Sequence, residues 1–270
     1  MRKIDMTDHL WARLLAMRGG RTSVTAGEEN DPALALYGPI ASTRGGFVLA
    51  QVGQSIDGRV ATPAGDARDI SGPDGIAHLH RCRALVEAVI VGVGTVKADN
   101  PRLSVRAVKG PNPVRVVVDC RAELTGEETL FHDGGAPVIL IQAHDVPTRT
   151  YAADVIRVRR TEQGLDPQAM LDALGERGLC RILVEGGART ISRFIDAGLV
   201  DRLHVAIAPL IIGSGPAGIS LPPIAELSSA HRPTAKVYNL GSDILFDCEL
   251  RPQISSASAY GQKVRVADHA

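Results

Sequence analysis

The sequence predicts an α/β protein with a mostly parallel central sheet that ends in an antiparallel hairpin. Three observations predict it. Apolar runs such as AVIVG, VRVVVD, PVILIQ and RILVE have almost no polar interruption, as in strands covered on both faces. These runs alternate along the chain with segments of helical spacing. The last two runs, KVYNL and DILFDCEL, alternate apolar with polar residues and are joined by Gly241-Ser242-Asp243, which reads as a hairpin.

Taken in order, Leu10, Leu14 and Met17 follow helical spacing with Trp11 beside them, so a short amphipathic helix is expected there. GGRTSVTAGEENDP is polar and turn-rich and reads as a loop. Residues 1–45 are therefore expected to be an appendage, 46–250 the main domain and 251–270 a mobile tail. Strands are expected at 47–53, 88–92, 113–119, 137–142, 154–158, 181–185, 201–208, 236–240 and 243–250. Helices are expected at 73–86, 166–177 and 187–197. Ser71 before Pro73 and Asp74 reads as a helix start: a capping hydroxyl, an imide that needs no acceptor, and a carboxylate in the first turn.

The 270 residues are enough for one large domain or two small ones. Thirty Lys and Arg balance thirty Asp and Glu, and aromatics make up 3%, so neither a basic surface nor base-stacking platforms point to nucleic acid. The N-terminal apolar stretch is broken by Asp5, Asp8, His9, Arg13 and Arg18, unlike a signal peptide, and a cytoplasmic protein is expected. Cys82, Cys120, Cys180 and Cys248 are widely spaced and form no C-x-x-C pair, so they read as buried thiols rather than a zinc site or a disulfide framework.

Two glycine elements follow strands. In VEGG, Glu185 ends a strand and Gly186-Gly187 lead straight into a helix. Unpaired N–H groups at a helix start attract a phosphate, and glycines let it approach. A tight turn explains the same residues equally well. GVGT, residues 92–95, repeats the arrangement without the third glycine of a dinucleotide fingerprint. Two such elements after parallel strands are stronger than one, because ligands of open α/β sheets sit beyond the strand carboxyl ends. Asp57-Gly58 reads as a bend. Arg83 and Arg106 are either anion ligands or solvated surface groups. His78 and His80, two apart on a helix, face different ways and make no metal pair.

In order, SIDGRVAT, ISGP, VGVGTVKADNPRL, NPVRVVVD, LVEGG, AGLVDRL and IAPLIIG resemble the reductase domain of bacterial riboflavin biosynthesis, over about residues 45–250. The resemblance implies a dihydrofolate-reductase-like three-layer sandwich, a homodimer, and NADPH-dependent reduction of the ribose of an aminopyrimidine ribosyl phosphate. No deaminase signature occurs, so the resemblance is to a stand-alone reductase. It implies NADPH contacts at Gln54, Asp69, Gly94, Thr95, Asp99, Gly186, Gly187, Arg189 and Thr190. It implies substrate contacts at Arg83, Leu103, Arg106 and Glu185, with Asp99 and Glu185 as the acid candidates and no metal. Four positions depart from the family pattern. Gln51 stands for a lysine, Ala67 for a serine, Asp69 for a tryptophan and Cys120 for a serine. These departures keep two alternatives open: a reductase of another heterocycle such as a dihydropterin, and a non-catalytic NADP-binding module.

Overall fold

Each of the nine expected strands is present in the computed structural model, which describes residues 1–23 and 27–251. The expected tail beyond 251 lies outside the described residues, as do 24–26 of the polar stretch. The elements run β1 (Arg2–Lys3), α1 (Asp8–Arg18), α2 (Pro32–Ser42), β2 (Phe47–Ser55), α3 (Pro73–Leu85), β3 (Ala88–Gly92), α4 (Val93–Asp99) and β4 (Val114–Val118). They continue with β5 (Val138–Ala143), β6 (Asp154–Val158), β7 (Arg160–Thr161), β8 (Gly164–Leu165), α5 (Pro167–Gly175) and β9 (Arg181–Glu185). The last are α6 (Ala188–Asp196), β10 (Arg202–Ala208), β11 (Thr234–Asn239) and β12 (Ile244–Glu249).

Ten strands form one sheet in the order β1-β11-β12-β10-β2-β9-β3-β4-β5-β6. All neighbours are parallel except that β12 runs against both β10 and β11. Period-2 alternation sends the strand side chains to two separate cores. On one face Leu49, Val89 and Leu183 pack with Trp11, Leu14, Leu36, Tyr37 and Leu85 from α1, α2 and α3. On the other, Ala50, Ile90 and Val184 pack with Met170, Leu174, Ile191 and Phe194 from α5 and α6. The result is the three-layer arrangement that the resemblance implies.

Within residues 1–45, α1 and α2 bury Leu14, Met17, Leu36 and Tyr37 completely against the sheet. The start of α2 carries an ordinary signal, Pro32 in the first turn behind Asp31, whose Oδ1 accepts the N–H of Ala33 and Leu34. Gly38-Pro39 inside the helix obscures it in the sequence. Ser71 does not cap α3. Gly72 occupies the cap position without a side-chain bond, and the β11–β12 turn supplies the acceptors. Ser242 Oγ accepts from Asp74 N and Asp243 Oδ1 from Gly72 N. A long-range partner has replaced the local one.

Candidate active site

β2, β9 and β3 lie side by side, and the chain turns at their carboxyl ends build the site. After β9, Gly186 and Gly187 take φ of +60° and +71°, which only glycine adopts without strain. The turn after β3 packs against them. A Cβ on Gly92 would lie 2.7 Å from Thr190 Oγ1, and one on Gly187 would lie 3.2 Å from Thr95 Oγ1. Each turn thus places a threonine on the other turn's glycine. α6 starts at Gly187 with no side-chain cap, so the first N–H groups of the helix lack an intrahelical acceptor.

Two adjoining cavities open here. The larger, about 940 Å³, is lined by both glycine turns, by Ala188, Arg189 and Thr190 of α6, and by Ala67 and Cys120. The smaller, about 280 Å³, is lined by Gln51, Arg83, Leu103 and Glu185 among others. Val60, Thr95, Asp99, Gly187 and Ala188 line both and form the lip between them.

Glu185 is 6% exposed and is gripped by the guanidinium of Arg83, itself 6% exposed. Nε donates to Oε1 at 2.7 Å and a terminal nitrogen to Oε2 at 2.6 Å. The remaining Arg83 terminal nitrogen donates to the Ser104 carbonyl at 3.0 Å. Period-2 geometry explains the pairing: Glu185 follows Leu183 on the sheet face that carries α3. Gln51 lies opposite Glu185 on β2. It is 5% exposed, and its Oε1 has no hydrogen-bond partner. A buried acceptor without a donor is costly unless a ligand satisfies it.

The Asp99 carboxyl stands at the shared lip, and partial desolvation raises its pKa above the usual carboxylate value. Leu103 is buried with φ of +54°, a strained conformation for a branched side chain. Arg106 is exposed outside the cavity lining, and it donates to Ser104 Oγ. Burial lowers its pKa first, and repulsion from Arg83 and Arg102 lowers it further, so three guanidinium groups crowd this edge. Of the residues expected at the cofactor, Gly94, Thr95, Asp99, Gly186, Gly187, Arg189 and Thr190 line the cavities. Gln54 and Asp69 do not: Gln54 lies against Gly218, and Asp69 is exposed in a loop with φ of +58°.

Sequence reasoning missed the wall opposite the glycine turns. Val60 and Gly218 line the smaller cavity and come from two loops far apart in the chain. Asp57 joins these loops. Its carboxylate accepts the Ser55 hydroxyl at 2.6 Å and the N–H of Ile212 and Gly213 at 3.1 and 2.7 Å. These bonds hold its pKa at about 2. Asp57 was legible only as a turn residue.

Among the described residues no helix is long and apolar enough to cross a membrane. Comparison with known proteins gives a consistent result. The chain is 33% identical over 211 residues to a protein of Methanothermobacter thermautotrophicus named 2,5-diamino-6-ribosylamino-4(3H)-pyrimidinone 5′-phosphate reductase, covering 74% of this chain and 96% of that one. It is 29% identical over 235 residues to the riboflavin biosynthesis protein RibD of Actinobacillus pleuropneumoniae, covering 82% of this chain and 61% of that one. Among solved structures, a deaminase/5-amino-6-(5-phosphoribosylamino)uracil reductase of Thermotoga maritima superposes with a TM-score of 0.64 at 27% identity, over 80% of this chain and 59% of that one. Residues 46–246 match the family described as the RibD C-terminal domain. The chain belongs to the RibD C-terminal domain family.

Proposed function

We propose that this protein is an NADPH-dependent reductase of a ribosylaminopyrimidine 5′-phosphate, acting in riboflavin biosynthesis as a cytoplasmic homodimer. The observation that carries this reading is the pair of adjoining cavities with a common lip at Thr95, Asp99 and Gly187. The larger has the size of a ligand pocket and the smaller could take a heterocycle beside it.

The residues present fit NADPH. The glycine cradle would be filled by any Cβ, and the uncapped start of α6 offers unpaired N–H groups to a phosphate. When bound, the cofactor supplies the hydride; the protein supplies orientation and charge. Gly187, Thr95 and Thr190 would hold the cofactor along the larger cavity, with Gly186 beside them on the smaller one. Gln51 Oε1 accepts an N–H of the heterocycle. Glu185, fixed by Arg83, accepts another. Asp99 retains its proton more readily than an ordinary carboxylate and stands at the lip, so it is the acid that protonates the opened sugar. Arg106, with Arg102 close by, receives the phosphate, because an anion there relieves the repulsion among the guanidinium groups.

Two measurements test this. NADPH oxidation should proceed with the ribosylaminopyrimidine phosphate and not with dihydrofolate. Gln51 in place of a lysine favours the dihydropterin as the competing substrate, and turnover of dihydrofolate alone would establish that reading instead. Arg106→Ala should raise KM for the phosphorylated substrate about tenfold to a hundredfold, the loss of one or two charge-assisted hydrogen bonds. An unchanged KM removes Arg106 from the phosphate site.

A further inference from the structure

His78, Cys82 and His204 converge in the core beneath α3, on the opposite side of that helix segment from solvent. All three are fully buried. His78 and Cys82 are four apart on α3 and so share a face, while His204 comes from β10. His78 Nε2 lies 3.7 Å and His204 Nδ1 3.9 Å from Cys82 Sγ. All three candidate ligand atoms lie within 4.8 Å of one another.

We infer that His78 Nε2, Cys82 Sγ and His204 Nδ1 form a buried binding site for a single thiophilic d10 cation, copper(I) or zinc(II). The spacing suits it. Bonds of about 2.3 Å to sulfur and about 2.0 Å to nitrogen at a tetrahedral angle set the ligands about 3.5 Å apart, close to what is found.

The surroundings suit it as well. A histidine ligand normally passes its second ring nitrogen to an orienting partner. His204 Nε2 lies 3.3 Å from Asp247 Oδ1, near it but not aligned as a hydrogen bond, and Asp247 is itself held by Arg202. His78 Nδ1 meets the Tyr37 hydroxyl at 2.8 Å. With the ring proton of His78 on Nδ1 toward Tyr37 and that of His204 on Nε2, the unprotonated nitrogens are the two that meet Cys82 Sγ. A single thiol proton can serve only one of them. A cation that replaces this proton serves all three ligands at once.

The geometry also gives such an ion a structural consequence. Cys82 precedes Arg83 in α3, so a clamp between α3 and β10 would lie one residue from the guanidinium that fixes Glu185.

The test is metal content and ligand identity in the whole chain, produced in copper- or zinc-supplemented medium and refolded with each metal under reducing conditions. The expected result is about one equivalent of metal per chain. X-ray absorption should show one sulfur at about 2.3 Å and nitrogen at about 2.0 Å. Cys82→Ala should lose the metal. If that variant fails to fold, the absorption shell of the unsubstituted protein decides. Less than about a tenth of an equivalent with both metals would overturn the inference, as would a shell without sulfur or full retention in Cys82→Ala.

Discussion

Replacing Glu185 with glutamine is expected to cost about 3–5 kcal/mol of stability and to remove most turnover. Both effects have the same origin. Glu185 and Arg83 are almost wholly buried and satisfy each other through two short hydrogen bonds. Removing one member of such a pair leaves the other charge desolvated, and that penalty exceeds the worth of the pair itself. The same carboxylate lines the smaller cavity, so the substrate loses an acceptor too. Urea unfolding and steady-state kinetics measure the two losses. The double variant Glu185→Leu with Arg83→Met separates them. It removes both charges, so it should regain most of the stability while turnover stays low. Turnover that returned with stability would reduce Glu185 to a structural residue.

Gly187→Ala should raise KM for NADPH about tenfold or more. The residue's φ of +71° strains any side chain, at about 1–3 kcal/mol. Its Cβ would stand 3.2 Å from Thr95 Oγ1, on the lip that both cavities share. Gly178→Ala is the control. Gly178 has φ of +74° with nothing within 4 Å of a Cβ, so it introduces strain without filling the site. Both variants should lose stability, and only Gly187→Ala should weaken the cofactor. Equal KM values in the two would mean that the turn does not cradle NADPH.

The sheet was legible because its strands carry their own signal. AVIVG and RILVE match β3 and β9 residue for residue, since a strand buried on both faces is apolar between its ends. The glycine turns were legible too, because each follows a strand and opens a helix. What stayed hidden were pairings across the chain. Arg83 reads as a free cation until Glu185, 102 positions away, is placed beside it. His78 was compared with His80 for metal binding, whereas its neighbours are Cys82 and His204, which lies on another element. His80 instead accepts the N–H groups of Arg106 and Ala107. Ser71 looked like a cap because local rules cannot see Ser242 and Asp243 arriving from the hairpin. Gln54 and Asp69 were carried over by resemblance, and Asp69 already departed from the family pattern; neither reaches the cavity lining.

The central proposal is that the larger cavity would hold a nicotinamide cofactor and the smaller one the sugar carbon that receives its hydride. Turnover of the ribosylaminopyrimidine phosphate with NADPH carrying deuterium at both C4 positions of the nicotinamide tests it directly. The account predicts one deuterium per product molecule, carried on C1′ of a ribityl chain and found by NMR. Product formed without label at C1′, or label on the pyrimidine ring, would contradict it.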